Sequence, residues 1–264
     1  MSKTRVVIVG ATGRMGRTLV RLASDDAQLQ VVGALGIAGD PLLGQDAGTI
    51  AGVRSLAVPI AVECPTDCDV LVDFTSPAGA AHWAAWSAEH RKPIVSGSTG
   101  LEAAHHDALR AAAAKTAVLW SPNMSIGVNI LLRLVRDAAK LLDADWDIEI
   151  SESHHRLKAD APSGTARALL EAACEGRSVD PKAVALYGRE GIVGARKRGE
   201  IGVHALRMGG IVGEHDVHFA TPQEHITLSH RAESRDVFAA GALRAAKWIV
   251  GIPAGLYHMR DVLA

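Results

Sequence analysis

The stretch RVVIVGATGRMGRTLVRLA, from Arg5 to Ala23, limits what this chain can fold into more than any other. Residues 5–9 form a run rich in β-branched side chains, the pattern of a strand buried on both faces. Gly10, Gly13 and Gly16 follow, and then a helical apolar rhythm through Leu19, Val20, Leu22 and Ala23. Strand, glycine turn and helix in that order are what a dinucleotide fingerprint requires. The glycines let the backbone turn tightly and approach a pyrophosphate, which rests on the helix N-terminus. The same spacing also fits a plain βα turn. What favours nucleotide binding is its place at the head of an alternating chain.

A second strand follows as LQVVGALG (29–36). The fingerprint expects an acid about 20 residues beyond the glycines to hold the ribose hydroxyls. The chain has Gly36 there, then Ile37, and the nearest acid is Asp40. NADH and NADPH are both left open. Without an acid at 36 the penalty against a 2′-phosphate is missing, so NADPH is expected to be accepted at least as well as NADH.

Residues 37–55 read as a long surface loop, and LAVPIAV, with Pro59, as a short strand near an edge. DVLVDF (69–74) is a strand followed by a helix that Pro77 starts, with Trp83 and Trp86 on one core-facing side. KPIVSGSTG repeats the logic: a strand over Pro93–Ser96, the turn Gly97-Ser98-Thr99-Gly100, and a helix from Leu101. Such a turn faces the ligand crevice of an open α/β sheet; its bland reading is a connector. Val118–Trp120 makes a last short strand that Pro122 stops, and Asn123–Gly127 hinges into an amphipathic helix running to about Leu142.

Alternation then ends. From residue 146 come a strand, a helix and a set of strands with antiparallel alternation, with Gly209-Gly210 as a hairpin turn. The expected fold is α/β: a Rossmann-type doubly wound parallel sheet over residues 1–125, then an α+β domain with a mixed open sheet over 126–234.

Residues 152–166, ESHHRLKADAPSGTA, carry the chemistry. His154, His155 and Lys158 lead into a helix start. Asp160 or Ala161 can cap it, Pro162 suits its first turn, and Ser163, Gly164 and Thr165 leave N–H groups for an anion. The combination of proton-donating groups and a carboxylate cradle asks for a small acidic substrate, and histidine is the donor whose pKa serves near neutrality. Taken alone, His154 and Lys158 fit a solvated basic loop equally well. No metal is expected. Adjacent histidines on a strand end point apart, the i, i+4 spacing is absent, and Cys64 and Cys68 lack a second pair. His82, His90, His105 and His106 read as exposed on helices, and His215, His218, His225 and His230 as structural.

Lys+Arg 28 against Asp+Glu 29 leaves a charge of −1. That gives no electrostatic footprint for nucleic acid or an anionic membrane. The first ten residues are too weakly apolar for a signal core or a membrane span. The cysteines, 3 in number, cannot pair evenly, so reduced thiols and a cytoplasmic location are expected.

In order along the chain, GATGRMGR, DFTSP, SGSTG, SPNMSIGVN, ESHHRLKADAPSGTA, IGVHALRMGGIVGEHDVHF and GLYHMRDVL closely resemble the bacterial 4-hydroxy-tetrahydrodipicolinate reductase (dihydrodipicolinate reductase) family. These are nicotinamide-dependent enzymes of diaminopimelate and lysine synthesis. The resemblance implies NADPH and/or NADH lying on Gly10, Ala11, Thr12, Gly13, Arg14 and Met15, on Gly97, Ser98 and Thr99, and on Ser121, Pro122, Asn123 and Met124. It assigns proton transfer to His154, an essential donor or charge-stabilising role to Lys158, and hold of the substrate carboxylates to His155, Gly164 and Thr165. It implies a homotetramer joined through the second-domain sheets, a terminal segment 235–264 that returns to the first domain, and hinges near Ser121–Ile126 and Ser234–Arg235. The implied chemistry is conjugate reduction of a cyclic imine dicarboxylate. A glutamate often stands in the family where this chain has Gly36. Rival readings are another two-domain nicotinamide dehydrogenase, which need not have the histidine pair, a silent nucleotide sensor, which would lose His154 or Lys158, and a metal-dependent hydrolase, which would lose activity to chelators.

Overall fold

The computed structural model describes residues 3–264. The chain divides into two compact units, one of residues 1–126 with 236–264 and one of residues 127–235.

The first unit begins with β1 (Thr4–Val9), α1 (Arg14–Asp25), β2 (Leu29–Leu35), α2 (Ala47–Ile50) and β3 (Ile60–Ala61). It continues with β4 (Val70–Asp73), α3 (Pro77–His90), β5 (Ile94–Ser96), α4 (Ala103–Ala113) and β6 (Ala117–Trp120). The second unit takes most of α5 (Ile126–Leu141), then β7 (Asp147–His154), α6 (Gly164–Arg177), α7 (Pro181–Val184) and β8 (Ala185–Tyr187). It closes with β9 (Ile201–Arg207), β10 (Glu214–Ala220) and β11 (His225–Arg231). The chain then returns to the first unit with α8 (Asp236–Ile249), β12 (Gly255–Tyr257) and α9 (Met259–Val262).

The first sheet has the order β12-β6-β5-β4-β1-β2-β3, every pair parallel. Without β12 this is the doubly wound order, which reverses direction between β1 and β4. Alternation along β1 explains the two covering layers. Val6 and Ile8 face a cluster with Leu19 and Val20 of α1 and Ala242 and Leu243 of α8. Val7 and Val9 face the opposite cluster, with Ala84 of α3 and Leu109 and Ala112 of α4. Val6, Val7 and Ile8 are each 0% exposed, which is why no polar residue interrupts the strand after Arg5. The short β3 is at the edge, where the proline-bearing segment was expected.

The region 37–55 is more ordered than a loop. Asp46 caps α2 at the amide of Thr49 and also accepts from the amides of Leu56 and Val58. Those amides hold its carboxyl down at about 2. Four-residue helices have too few apolar positions for a periodicity to register in sequence.

The second sheet has the order β11-β10-β7-β9-β8, parallel on one side of β7 and antiparallel on the other. Its inner face packs Ile148, Ile150, Val203, Val217 and Phe219 against Leu131 and Val135 of α5 and Leu169 and Ala173 of α6. Gly209-Gly210 is not a hairpin turn. β9 and β10 flank β7, so their link crosses the end of β7, where Met208 N–H donates to His154 O at 2.9 Å. The tight turn lies one connection later, where Thr221 N–H donates to Glu224 O at 2.8 Å between β10 and β11. Among the described residues no helix is long and apolar enough to cross a membrane.

Candidate active site

Two clusters stand out, one in each unit. In the first, the loops after β1, β4, β5 and β6 leave adjacent parallel strands and so gather at one end of the sheet. Gly10 has φ +76°, and the amides of Gly10 and Ala11 both donate to Leu35 O, at 3.0 and 2.9 Å. A Cβ on Gly16 would lie 2.0 Å from Gly10 O, so α1 begins pressed against the turn. Gly13 is its N-cap; no side chain caps it, and its first turn holds no acid. The leading amides of a helix have no intrahelical acceptor, so this end is an open anion seat. Gly13 and Arg14 are exposed, Thr12 and Met15 half-buried, and Ala11 buried.

The turn after β5 sits as closely. A Cβ on Gly97 would be 2.3 Å from the Phe74 ring. Ser98 is buried and its hydroxyl donates to Asp73 Oδ2 at 2.9 Å, while Thr99 is exposed. Asp73 also accepts from Ser96 and Thr75, yet burial pushes its carboxyl up. Sequence reasoning missed this knot, which ties the ends of β4 and β5. After β6, the Ser121 hydroxyl donates to Asn123 O at 2.7 Å, Asn123 Oδ1 accepts from Ser125 N–H, and Pro122 is exposed. Met124 is buried, its carbonyl against α8: a Cβ on Gly241 would lie 1.8 Å from Met124 O.

In the second cluster, alternation along β7 puts Ile148, Ile150 and Glu152 on the core side, and the row continues to His154. Glu152 is thus a carboxylate with 0% side-chain exposure. It is satisfied three ways: His154 Nδ1 at 2.5 Å, the Arg207 guanidinium at 2.8 and 2.9 Å, and the Ser163 amide at 3.0 Å. Burial alone would raise its pKa, but Arg207, His154 and Ser163 together hold it below the usual carboxylate range. An ionised carboxylate only accepts, so Nδ1 of His154 carries the hydrogen and Nε2 is left to exchange a proton. Gly213 leaves room there: a Cβ on it would be 3.1 Å from His154 Nε2. Burial pulls the His154 pKa down although Glu152 raises it. The His215 ring lies edge-on at 5.3 Å, its Nε2 is 3.3 Å from Ser163 Oγ, and burial, with His154 next to it, lowers it to about 4.

Ser163 caps α6, its hydroxyl accepting from Ala166 N–H at 3.1 Å, so the helix starts at Gly164 rather than at Pro162. Asp160 and Ala161 lie ahead of that cap, and Asp160 accepts instead from Lys158 Nζ at 2.7 and 2.9 Å. Gly164 is exposed, with nothing within 4 Å of an added Cβ, and Thr165 and His155 are half-buried. His154, Lys158 and this helix start therefore share one neighbourhood. The sequence overlooked Glu152, Arg207 and His215; His215 is not merely a sheet histidine. His90, His105 and His106 are half-buried too, His90 stacked on Trp86, His105 accepting from Glu102 N–H and His106 edge-on to Trp120. Among the described residues no group of three or more His, Cys, Asp or Glu is placed to hold a metal ion.

Residues 4–124 match the family described as dihydrodipicolinate reductase, N-terminus, and residues 127–263 its C-terminus. The chain belongs to the dihydrodipicolinate reductase family. It is 49% identical to the 4-hydroxy-tetrahydrodipicolinate reductase of Parvibaculum lavamentivorans over 98% of this chain and 97% of that one. It is 47% identical to the enzyme of that name from Methylocella silvestris over 100% and 98%. A solved dipicolinate-bound dihydrodipicolinate reductase from a Paenisporosarcina species shares the fold, with TM-score 0.78, 23% identity and 97% of each chain covered. An amine dehydrogenase from Mycobacterium smegmatis has TM-score 0.60 at 16% identity, covering 97% of this chain and 94% of that one.

The first cluster falls in the family's N-terminal module and the second in its C-terminal module. The first fits a dinucleotide on two independent grounds: the uncapped, acid-free start of α1, and glycines whose Cβ atoms would fill the turn.

Proposed function

We propose that the chain reduces 4-hydroxy-tetrahydrodipicolinate to tetrahydrodipicolinate in the diaminopimelate branch of lysine synthesis. One observation carries the reading: full-length similarity to reductases of that name, in a chain whose buried Glu152–His154 pair adjoins an open helix start. In balance, substrate, NAD(P)H and one proton give product, NAD(P)+ and water.

The Gly10–Met15 loop and the start of α1 would hold the pyrophosphate, and the backbones of Gly97–Thr99 and Ser121–Met124 would hold the rest of the nucleotide. Loss of the 4-hydroxyl as water leaves a conjugated cyclic imine, to whose ring carbon a bound reduced nicotinamide, NADPH or NADH, would supply hydride. The amides of Gly164 and Thr165, with His155, hold a substrate carboxylate, and Lys158 offsets negative charge that develops on the ring. His154 Nε2 delivers a proton to the carbon next to the one reduced. A dianionic substrate beside the imidazole favours its protonated form and so opposes the lowering that burial causes.

The outer face of the second sheet supports a homotetramer. It carries a half-exposed lattice in which Glu149 accepts from Arg189 at 2.8 Å and lies 2.6 Å from His204 Nε2, with Leu206 42% exposed. Sedimentation at the mass of a single chain would remove that assignment. Cys64, Cys68 and Cys174 are free thiols, which supports the reading of a cytosolic enzyme.

His154→Gln should lower kcat by about 100-fold or more with KM little changed, the usual worth of general acid catalysis. Near-normal turnover would take His154 out of proton transfer.

A further inference from the structure

We propose that Asp40 reads the adenosine ribose and makes this chain prefer NADH to NADPH. The inference rests on the nucleotide-binding reading above and names the residue that sets its specificity. In doubly wound nucleotide domains the acid that accepts the ribose 2′-hydroxyl stands just past the second strand, and an arginine nearby accommodates a 2′-phosphate. Here β2 ends at Leu35, and the next two residues are Gly36, without a side chain, and Ile37, 75% exposed and uncharged.

The backbone then folds back on itself: Asp40 N–H donates to Ile37 O at 3.1 Å, and Asp40 Oδ1 accepts from Leu42 N–H at 2.9 Å. That second bond explains one carboxylate oxygen as a turn cap. The other has a different surrounding. Oδ2 lies 3.6 Å from where a Cβ of Gly36 would be, so the carboxylate stands where a side chain at 36 would enter. From the glycine loop, the Thr12 side chain helps to hold the same carboxyl below its ordinary range. Thr12 O is held in turn by Arg17 Nε at 3.0 Å, and the amides of Gly10 and Ala11 are anchored on Leu35 O. Glycine loop, strand end and Asp40 make one cross-braced corner, and the missing acid is supplied from four residues further on.

The Leu42 amide and the Thr12 hydroxyl keep the carboxyl below its ordinary range, so it is ionised at neutral pH. An ionised carboxylate accepts the 2′-hydroxyl of NADH and repels the 2′-phosphate of NADPH. Arg17, whose Nε donates to Thr12 O, adds a further charge that lowers this carboxyl. Position 36 taken alone favours NADPH; Asp40 reverses that preference.

The test is nucleotide binding without substrate. Tryptophan fluorescence of the full chain, titrated with NADH and with NADPH, should give a Kd for NADH at least about tenfold lower. Asp40→Asn and Asp40→Ser keep an acceptor for Leu42 N–H and remove the charge. In both, with the melting temperature unchanged, the ratio should move about tenfold or more toward NADPH. A wild-type ratio near one, or a ratio the substitutions leave alone, overturns the assignment of Asp40 and leaves the reductase reading standing. Binding of neither nucleotide by the folded chain overturns both.

Discussion

A carboxylate at the end of an apolar row is tolerated only where its charge is matched, and Glu152 is matched by an imidazole, a guanidinium and an amide. His154 takes from that pairing both its orientation and support for its charged form. Glu152→Gln keeps the shape and removes the charge, so the His154 pKa, already lowered by burial, should fall further. A proton donor works below its pKa and is lost as pH rises through it; a lower pKa moves that loss to lower pH. The kcat/KM profile of Glu152→Gln should therefore lose activity at lower pH than the wild type, with about 10-fold or more less activity at neutral pH. A merely structural Glu152 would lower stability and leave the position of that limb unchanged. His154 and Lys158 were legible because they sit together in one motif. Arg207 and His215 were not, since strand pairing brings them from 55 and 63 residues away on either side of β7. Glu152 did leave a signal: a lone acid in phase with Ile148 and Ile150 on the buried side of a strand.

Whole elements show the same division between local and remote information. Strand and helix periodicities over residues 4–141 identify β1, β4, β5, α3 and α5 within a few residues, because each carries its own pattern. The Gly209-Gly210 turn was misread because neighbours in sequence need not be neighbours in a sheet. Here β7 lies between the strands that those glycines link. Two glycines separate packing from binding. Gly241→Ala pushes a Cβ to 1.8 Å from Met124 O and should cost about 1–3 kcal/mol of stability, read as a lower urea midpoint. Gly164→Ala meets nothing within 4 Å, so its stability should hold. Its KM for the dicarboxylate should rise several-fold, because the methyl group enters the space given to the substrate carboxylate. An unaltered KM would remove the start of α6 from the substrate site.

At the scale of the whole molecule, the chain leaves the nucleotide unit at residue 126 and comes back to it at 236. The returning segment is more than a covering helix. α8 supplies Ala239, Ala242, Leu243, Ala246 and Ile249 to the core, and β12 pairs with β6 as a seventh strand. Three residues after a proline-containing turn give too little pattern to be read as a strand, so sequence alone left β6 as the last one. Two modules of one family, each carrying one of the two clusters, account for the length of the chain. The central claim is the reaction itself, and it is tested most directly by following NADH and NADPH absorbance while the unstable substrate is generated in situ by an upstream synthase. Rapid oxidation that depends on the synthase and its substrates, and that is lost in His154→Gln, is the expected result. No oxidation of either nucleotide by folded protein that binds them would contradict it.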